Sequence, residues 1–214
     1  MWRIGQNIAK CFSAIFQPLL MPFYSLALLA VYTNFYHMYA GQILRFLIPT
    51  LLFTLFIPAL FIFVLKKMRY IRDYSLEYAP DRTLPYMIFI ISNISLTLFF
   101  YNSHVFYWVL GLIAAPVFIA FTGMLINFFW KISAHMLGMG GLIGGILSVC
   151  FNVKGSNPMV LFAILFILAG ILGVCRLYLR ANSAAQVYVG FIIGFVLAYA
   201  SVFGGLLLML SYLK

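Results

Sequence analysis

Apolar residues fall along this chain in long uninterrupted blocks. The blocks cover residues 12–36, 43–65, 84–101, 106–130, 132–151, 159–178 and 187–212. A helix of about 20 apolar residues crosses the hydrocarbon core of a bilayer. Strands crossing a membrane are shorter and alternate apolar with polar positions, and these blocks do neither. The pattern predicts an all-α polytopic transmembrane bundle of six to seven spans. Pro18 and Pro22 are expected to bend the first span near its start. Arg3 and Lys10 ahead of that block imitate a signal peptide. The block is too long for a signal core, however, and lacks a small-x-small cleavage site, so it reads as a span. Phe128, Phe129 and Trp130 read as an interfacial aromatic belt, and Arg45 as a snorkelling cation.

Composition agrees with the pattern. Of 214 residues, 66% are hydrophobic and only 7% charged, against about 25% charged in a soluble domain. A soluble enzyme, a DNA-binding domain and a disordered tail are excluded, and the chain reads as one integral membrane domain, 1–214. Net charge is +10, from 13 Lys+Arg and 3 Asp+Glu. Because the cations sit between apolar blocks, membrane orientation, anionic headgroups and a phosphate site explain them better than nucleic acid does.

Alternate loops share a side. One side collects the cations at 3, 10, 66, 67, 69, 72, 82, 131, 176 and 180; the other holds only Arg45, Lys154 and Lys214. The positive-inside rule makes the first side cytoplasmic, and a bacterial inner (cell) membrane is the expected location. Cys11, Cys150 and Cys175 show no ligand spacing. Asp73, Glu77 and Asp81 follow one another every four residues and read as partners of nearby arginines, with no metal expected. Gly140, Gly141, Gly144 and Gly145, with Gly190 and Gly194, read as close helix contacts.

Three segments on the basic side carry candidate chemistry. They are Asp81-Arg82-Thr83-Leu84-Pro85-Tyr86, Lys131-Ile132-Ser133-Ala134-His135, and the stretch 175–190, with Cys175-Arg176, Arg180, Asn182, Gln186-Val187 and Gly190. Each lies at a helix end, so they can converge. Arginine forks suit phosphate oxygens, and cations next to hydrocarbon tend to face a cavity or an anion.

These segments resemble the type 2 phosphatidic acid phosphatase superfamily, which includes the vanadium haloperoxidases. Its second motif, Ser-Gly-His, has its counterpart in Ser133-Ala134-His135. Its third motif, Ser-Arg, five residues, His, three residues, Asp-Val, two residues, Gly, is matched in spacing by Cys175-Arg176, Asn182, Gln186-Val187 and Gly190. Arg82 with Pro85 is the nearest counterpart of the first motif, and the similar segment runs over about 82–194. The resemblance implies a core like that of the family. It implies a phosphate site of Arg82, Lys131, Ser133, Arg176 and Arg180, a catalytic set at His135, Asn182 and Gln186, no metal and no cofactor. The implied partner is a lipid phosphate or polyprenyl diphosphate, alongside membrane lipids.

Family members use the third-motif His as nucleophile, the following Asp to orient it and the second-motif His as acid. Here the first two positions hold Asn182 and Gln186, and an amide does not attack phosphorus. Two functions follow from the resemblance: a lipid phosphate phosphatase, impaired at its nucleophile, or a non-catalytic protein of lipid-phosphate binding, translocation or assembly.

Overall fold

The computed structural model describes residues 2–32, 41–74, 76, 78–154 and 158–212. His37, Glu77 and Lys214 lie outside these residues. Among the described residues the chain is helical and holds no strand. Helix α1 is Trp2–Ile15, α2 Met21–Tyr32, α3 Ile43–Leu51, α4 Ile57–Lys67 and α5 Thr83–Asn102. Helices α6 Tyr107–Phe129, α7 Ala134–Ser148, α8 Met159–Tyr178 and α9 Ala184–Tyr212 follow. Among the described residues seven segments are long and apolar enough to cross a membrane, the pattern of a multi-pass membrane protein. Large apolar side chains such as Phe61, Leu98, Ile167 and Ile192 are exposed on the outside of the bundle, where lipid covers such residues.

The N-terminal block differs from its sequence reading. Instead of one bent span from residue 12, there is a separate helix from Trp2, a break at Phe16 and Gln17, a 3-10 turn at Pro18–Leu20, and then α2. Pro18 has no N–H to continue the ladder, which accounts for the break. Tyr24 Oη donates to Ile15 O at 2.9 Å and fastens the two helices at the bend. Gly5 packs under the Tyr178 ring at the end of α8, and His135 at the start of α7 bonds Ser13 O. Both contacts join α1 to the basic end of the bundle.

Between α3 and α4 the helix widens into a π turn, Leu52–Phe56, flanked by Pro49 and Pro58. Pro58 supplies no N–H to Thr54 O, and the ladder shifts register there. Ser92 Oγ donates to Phe53 O within this turn, tying α5 to it.

Helix α7 is the centre of the bundle, with 72% of its span window buried. Glycines set its distance from α9. A Cβ on Gly140 would sit 2.1 Å from Phe191 O, one on Gly144 2.2 Å from Phe195 O, and one on Gly194 2.0 Å from Leu137 O. The two backbones therefore touch with no side chain between them. This seam holds the start of α7 next to the start of α9, where His135 and Asn182 lie.

Candidate functional site

The site is built from helix ends. Helix α8 closes in a Schellman turn, with Ala181 N–H donating to Arg176 O at 3.1 Å and Arg180 N–H to Leu177 O at 2.9 Å. Arg180 takes the left-handed position, φ 53°, usually filled by glycine. The reversal leaves Arg180 exposed and turns Ala181 and Asn182 inward, both buried.

Ser183 then caps α9. Its N–H donates to Gln186 Oε1 at 3.1 Å, and Gln186 N–H donates to Ser183 Oγ at 3.4 Å. This is a capping box, with Gln186 as its reaching-back residue. Gln186 Oε1 also accepts from Asn182 Nδ2 at 3.2 Å, and Asn182 Oδ1 accepts from Arg176 Nε at 3.2 Å. The three third-motif side chains thus form one hydrogen-bonded row, Arg176 to Asn182 to Gln186.

Arg82 ends a 3-10 turn, Pro80–Arg82, before α5, and Asn127 of α6 pins that turn by donating Nδ2 to Ala79 O at 2.7 Å. The Arg82 guanidinium is buried; Nε donates to Leu76 O at 2.6 Å and NH1 to Ile132 O at 2.8 Å. It ties the polar loop to the α6–α7 connection. His135 Nε2 lies 3.2 Å from Ser13 O. A carbonyl only accepts, so Nε2 carries the proton.

Arg82, His135, Arg176 and Asn182 line one cavity of about 630 Å³. Lys10, Ser13 and Gln17 of the N-terminal segment share its walls with Tyr74 and Tyr86. Deeper, the walls turn apolar with Phe89, Leu112, Pro116, Ile119 and Leu142. At 1.5 Å per residue, Leu112 lies roughly 20 Å along α6 from Asn127. The cavity is therefore cationic at its basic end and hydrocarbon-like below.

The other candidates stand apart from it. Lys131 is half-buried outside the lining, Arg180 is exposed, and Gln186 reaches the cavity only through Asn182. Ser133 is buried before α7; its Oγ has no partner among the described residues and makes no side-chain cap. Its carbonyl lies 3.0 Å from where a Gly190 Cβ would be, so Gly190 serves that close approach. Asp81 Oδ2 accepts from Arg72 N–H at 2.8 Å and Asp73 Oδ1 from Leu76 N–H at 2.9 Å, both shaping the polar loop. Among the described residues no three His, Cys, Asp or Glu side chains gather as a metal site would need.

Sequence reasoning missed the part α1 plays and the capping box. The signal for the box was present as Ser183-x-x-Gln186. In α1, Ile4, Ile8 and Ile15 fall on one face, with Lys10 and Ser13 on others, the period of an amphipathic helix. Compared with known proteins, the chain matches no family model, and no curated protein or solved structure matches it significantly.

Proposed function

We propose that this chain is a membrane protein of the bacterial inner membrane that binds the phosphate or diphosphate group of a lipid. In this reading its core is like that of the type 2 phosphatidic acid phosphatases, and hydrolysis is slow or lost. The observation that carries the reading is the single cavity lined by Arg82, His135, Arg176 and Asn182, with an apolar shaft beneath. Buried guanidinium groups supply forked donors to phosphate oxygens in a low dielectric. The shaft suits the hydrocarbon of the same molecule.

Asn182 argues for binding without turnover. It stands where the family carries its nucleophile, and both ends of its amide are engaged, by Arg176 and Gln186. Neither amide atom offers a lone pair basic enough to attack phosphorus, and Gln186 has no charge to stabilise an imidazolium.

The test is a phosphate-release screen on purified protein with phosphatidic acid, phosphatidylglycerol phosphate and a polyprenyl diphosphate. Wild type is expected to be stabilised thermally by the lipid that binds while releasing no phosphate above an Arg176→Ala control. The Asn182→His, Gln186→Asp double variant is expected to gain hydrolysis. Release at ordinary enzymatic rates by wild type overturns the non-catalytic reading. Absence of any stabilisation or binding overturns the lipid-phosphate reading itself.

A further inference from the structure

We propose that α1 is part of the anion site, with Lys10 Nζ and Ser13 Oγ as direct ligand contacts. This inference rests on the lipid-phosphate reading and adds a helix that carries none of the residues matching the family motifs.

Three observations lead to it. Helix α1 presents Ile4, Ile8 and Ile15 outward, all exposed. On a helical wheel Ser13 lies about 160° from that stripe, and Lys10 about 140° from it on the same side as Ala14. Lys10, Ser13 and Ala14 line the cavity. An amphipathic helix at a bilayer surface sends its apolar stripe into acyl chains and its polar face toward water or a polar partner. Here the polar face meets a cavity that also holds Arg82 and Arg176.

Ser13 is buried, and its Oγ has no hydrogen-bond partner among the described residues. A buried hydroxyl left unpaired is costly, and most such groups find a partner. Turned toward the cavity, it can donate to an anionic oxygen. Its backbone is held for that purpose. Ser13 O is one of the last carbonyls of α1, and His135 Nε2–H satisfies it. The ammonium of Lys10, one turn earlier, adds a point charge at the cavity mouth.

The chemistry required of the ligand is a phosphate monoester or diphosphate with an apolar tail. The experiment uses the full chain in lipid nanodiscs, with dioleoyl phosphatidic acid and farnesyl diphosphate as probes and dioleoylglycerol as the neutral control. Lys10→Gln and Ser13→Ala are each expected to weaken binding of a phosphorylated probe about fivefold, the scale of one charge-assisted or neutral hydrogen bond. The Tm without probe does not fall for either variant, and for Ser13→Ala it is equal or higher because an unpaired buried hydroxyl is removed. A second readout separates contact from folding. With Lys10→Cys in a Cys11→Ser background, a saturating phosphorylated probe is expected to slow thiol alkylation about tenfold, while dioleoylglycerol does not.

If wild type binds a probe and Arg176→Ala weakens it, yet both α1 variants bind within about twofold of wild type and the introduced thiol is not protected, the role of α1 is overturned and the lipid-phosphate reading stands. If wild type binds neither probe, both fall together.

Discussion

Arg176 Nε donates to Asn182 Oδ1 across 3.2 Å, at the inward-turned corner between α8 and α9. The bond fixes an arginine at the cavity wall without neutralising it, because the acceptor is an uncharged amide. A carboxylate in the same place would pair with the guanidinium and repel a phosphate. Asn182→Asp is therefore expected to weaken phosphatidic acid binding about tenfold while leaving the Tm at or above that of wild type. Binding titration beside thermal unfolding checks both halves of the statement.

Gln186 has two employments: it closes the capping box on Ser183 and accepts from Asn182. Removing its side chain leaves the Ser183 N–H without that acceptor at the start of α9. Gln186→Ala is expected to cost about 1 kcal/mol of stability, the usual worth of an N-terminal cap. Chemical denaturation in mild detergent measures it. An unchanged midpoint would show that the box contributes nothing.

Arg180 holds a left-handed backbone, φ 53°, with its side chain exposed and away from the cavity lining. Glycine adopts that conformation without the Cβ penalty of roughly 1 kcal/mol. Arg180→Gly is expected to raise stability by about 0.5–1 kcal/mol and to leave lipid-phosphate affinity unchanged. A marked loss of affinity would return Arg180 to the site.

Gly194→Ala strikes the seam between α7 and α9, where the new methyl would lie 2.0 Å from Leu137 O. Backbone cannot move aside as a flexible side chain can. The expected cost is about 1–3 kcal/mol, with binding lost in step, since the same seam joins the helix starts that bring His135 and Asn182 to the cavity. Gly204→Ala, which meets nothing within 4 Å, is the matched control.

Orientation has its own test. A cysteine at Lys67, in a Cys11→Ser background, is expected to react with a membrane-impermeant reagent in inverted vesicles and not in intact cells, because the cation-rich end follows the positive-inside rule. Labelling from outside intact cells reverses the assignment.

The helices were legible in sequence because an apolar block of spanning length has one answer in a bilayer. The segment 159–178 was read with the bounds that α8 has. The glycine pairs were legible too, since a missing side chain marks a possible close crossing, and Gly140, Gly144 and Gly194 all meet backbone. The N-terminal helix was not, because the apolar run from Phe12 hides a break that depends on Pro18 and on docking to Tyr178 and His135. Nor was the outward turn at Arg180, because arginine carries no preference for the left-handed region. For Gln186, motif spacing drew attention to a catalytic position, while the nearer Ser183-x-x-Gln186 pairing already explained the residue. Arg82 shows the limit of reading charges by location alone: its guanidinium lines the cavity, yet it also fastens Leu76 to Ile132.

The bare contact of α7 against α9 gives the molecule a fixed jaw. With carbonyl laid on α-carbon, the contact has no room for an added side chain, and it holds together the starts of the two helices that bring His135 and Asn182 to the cavity. The other wall is fastened differently: α1 joins it through a proline bend, the Tyr24 hydroxyl, the Tyr178 ring at Gly5 and the His135 bond to Ser13 O. The cavity thus has one wall made of bare backbone contact and one held by side-chain fastenings.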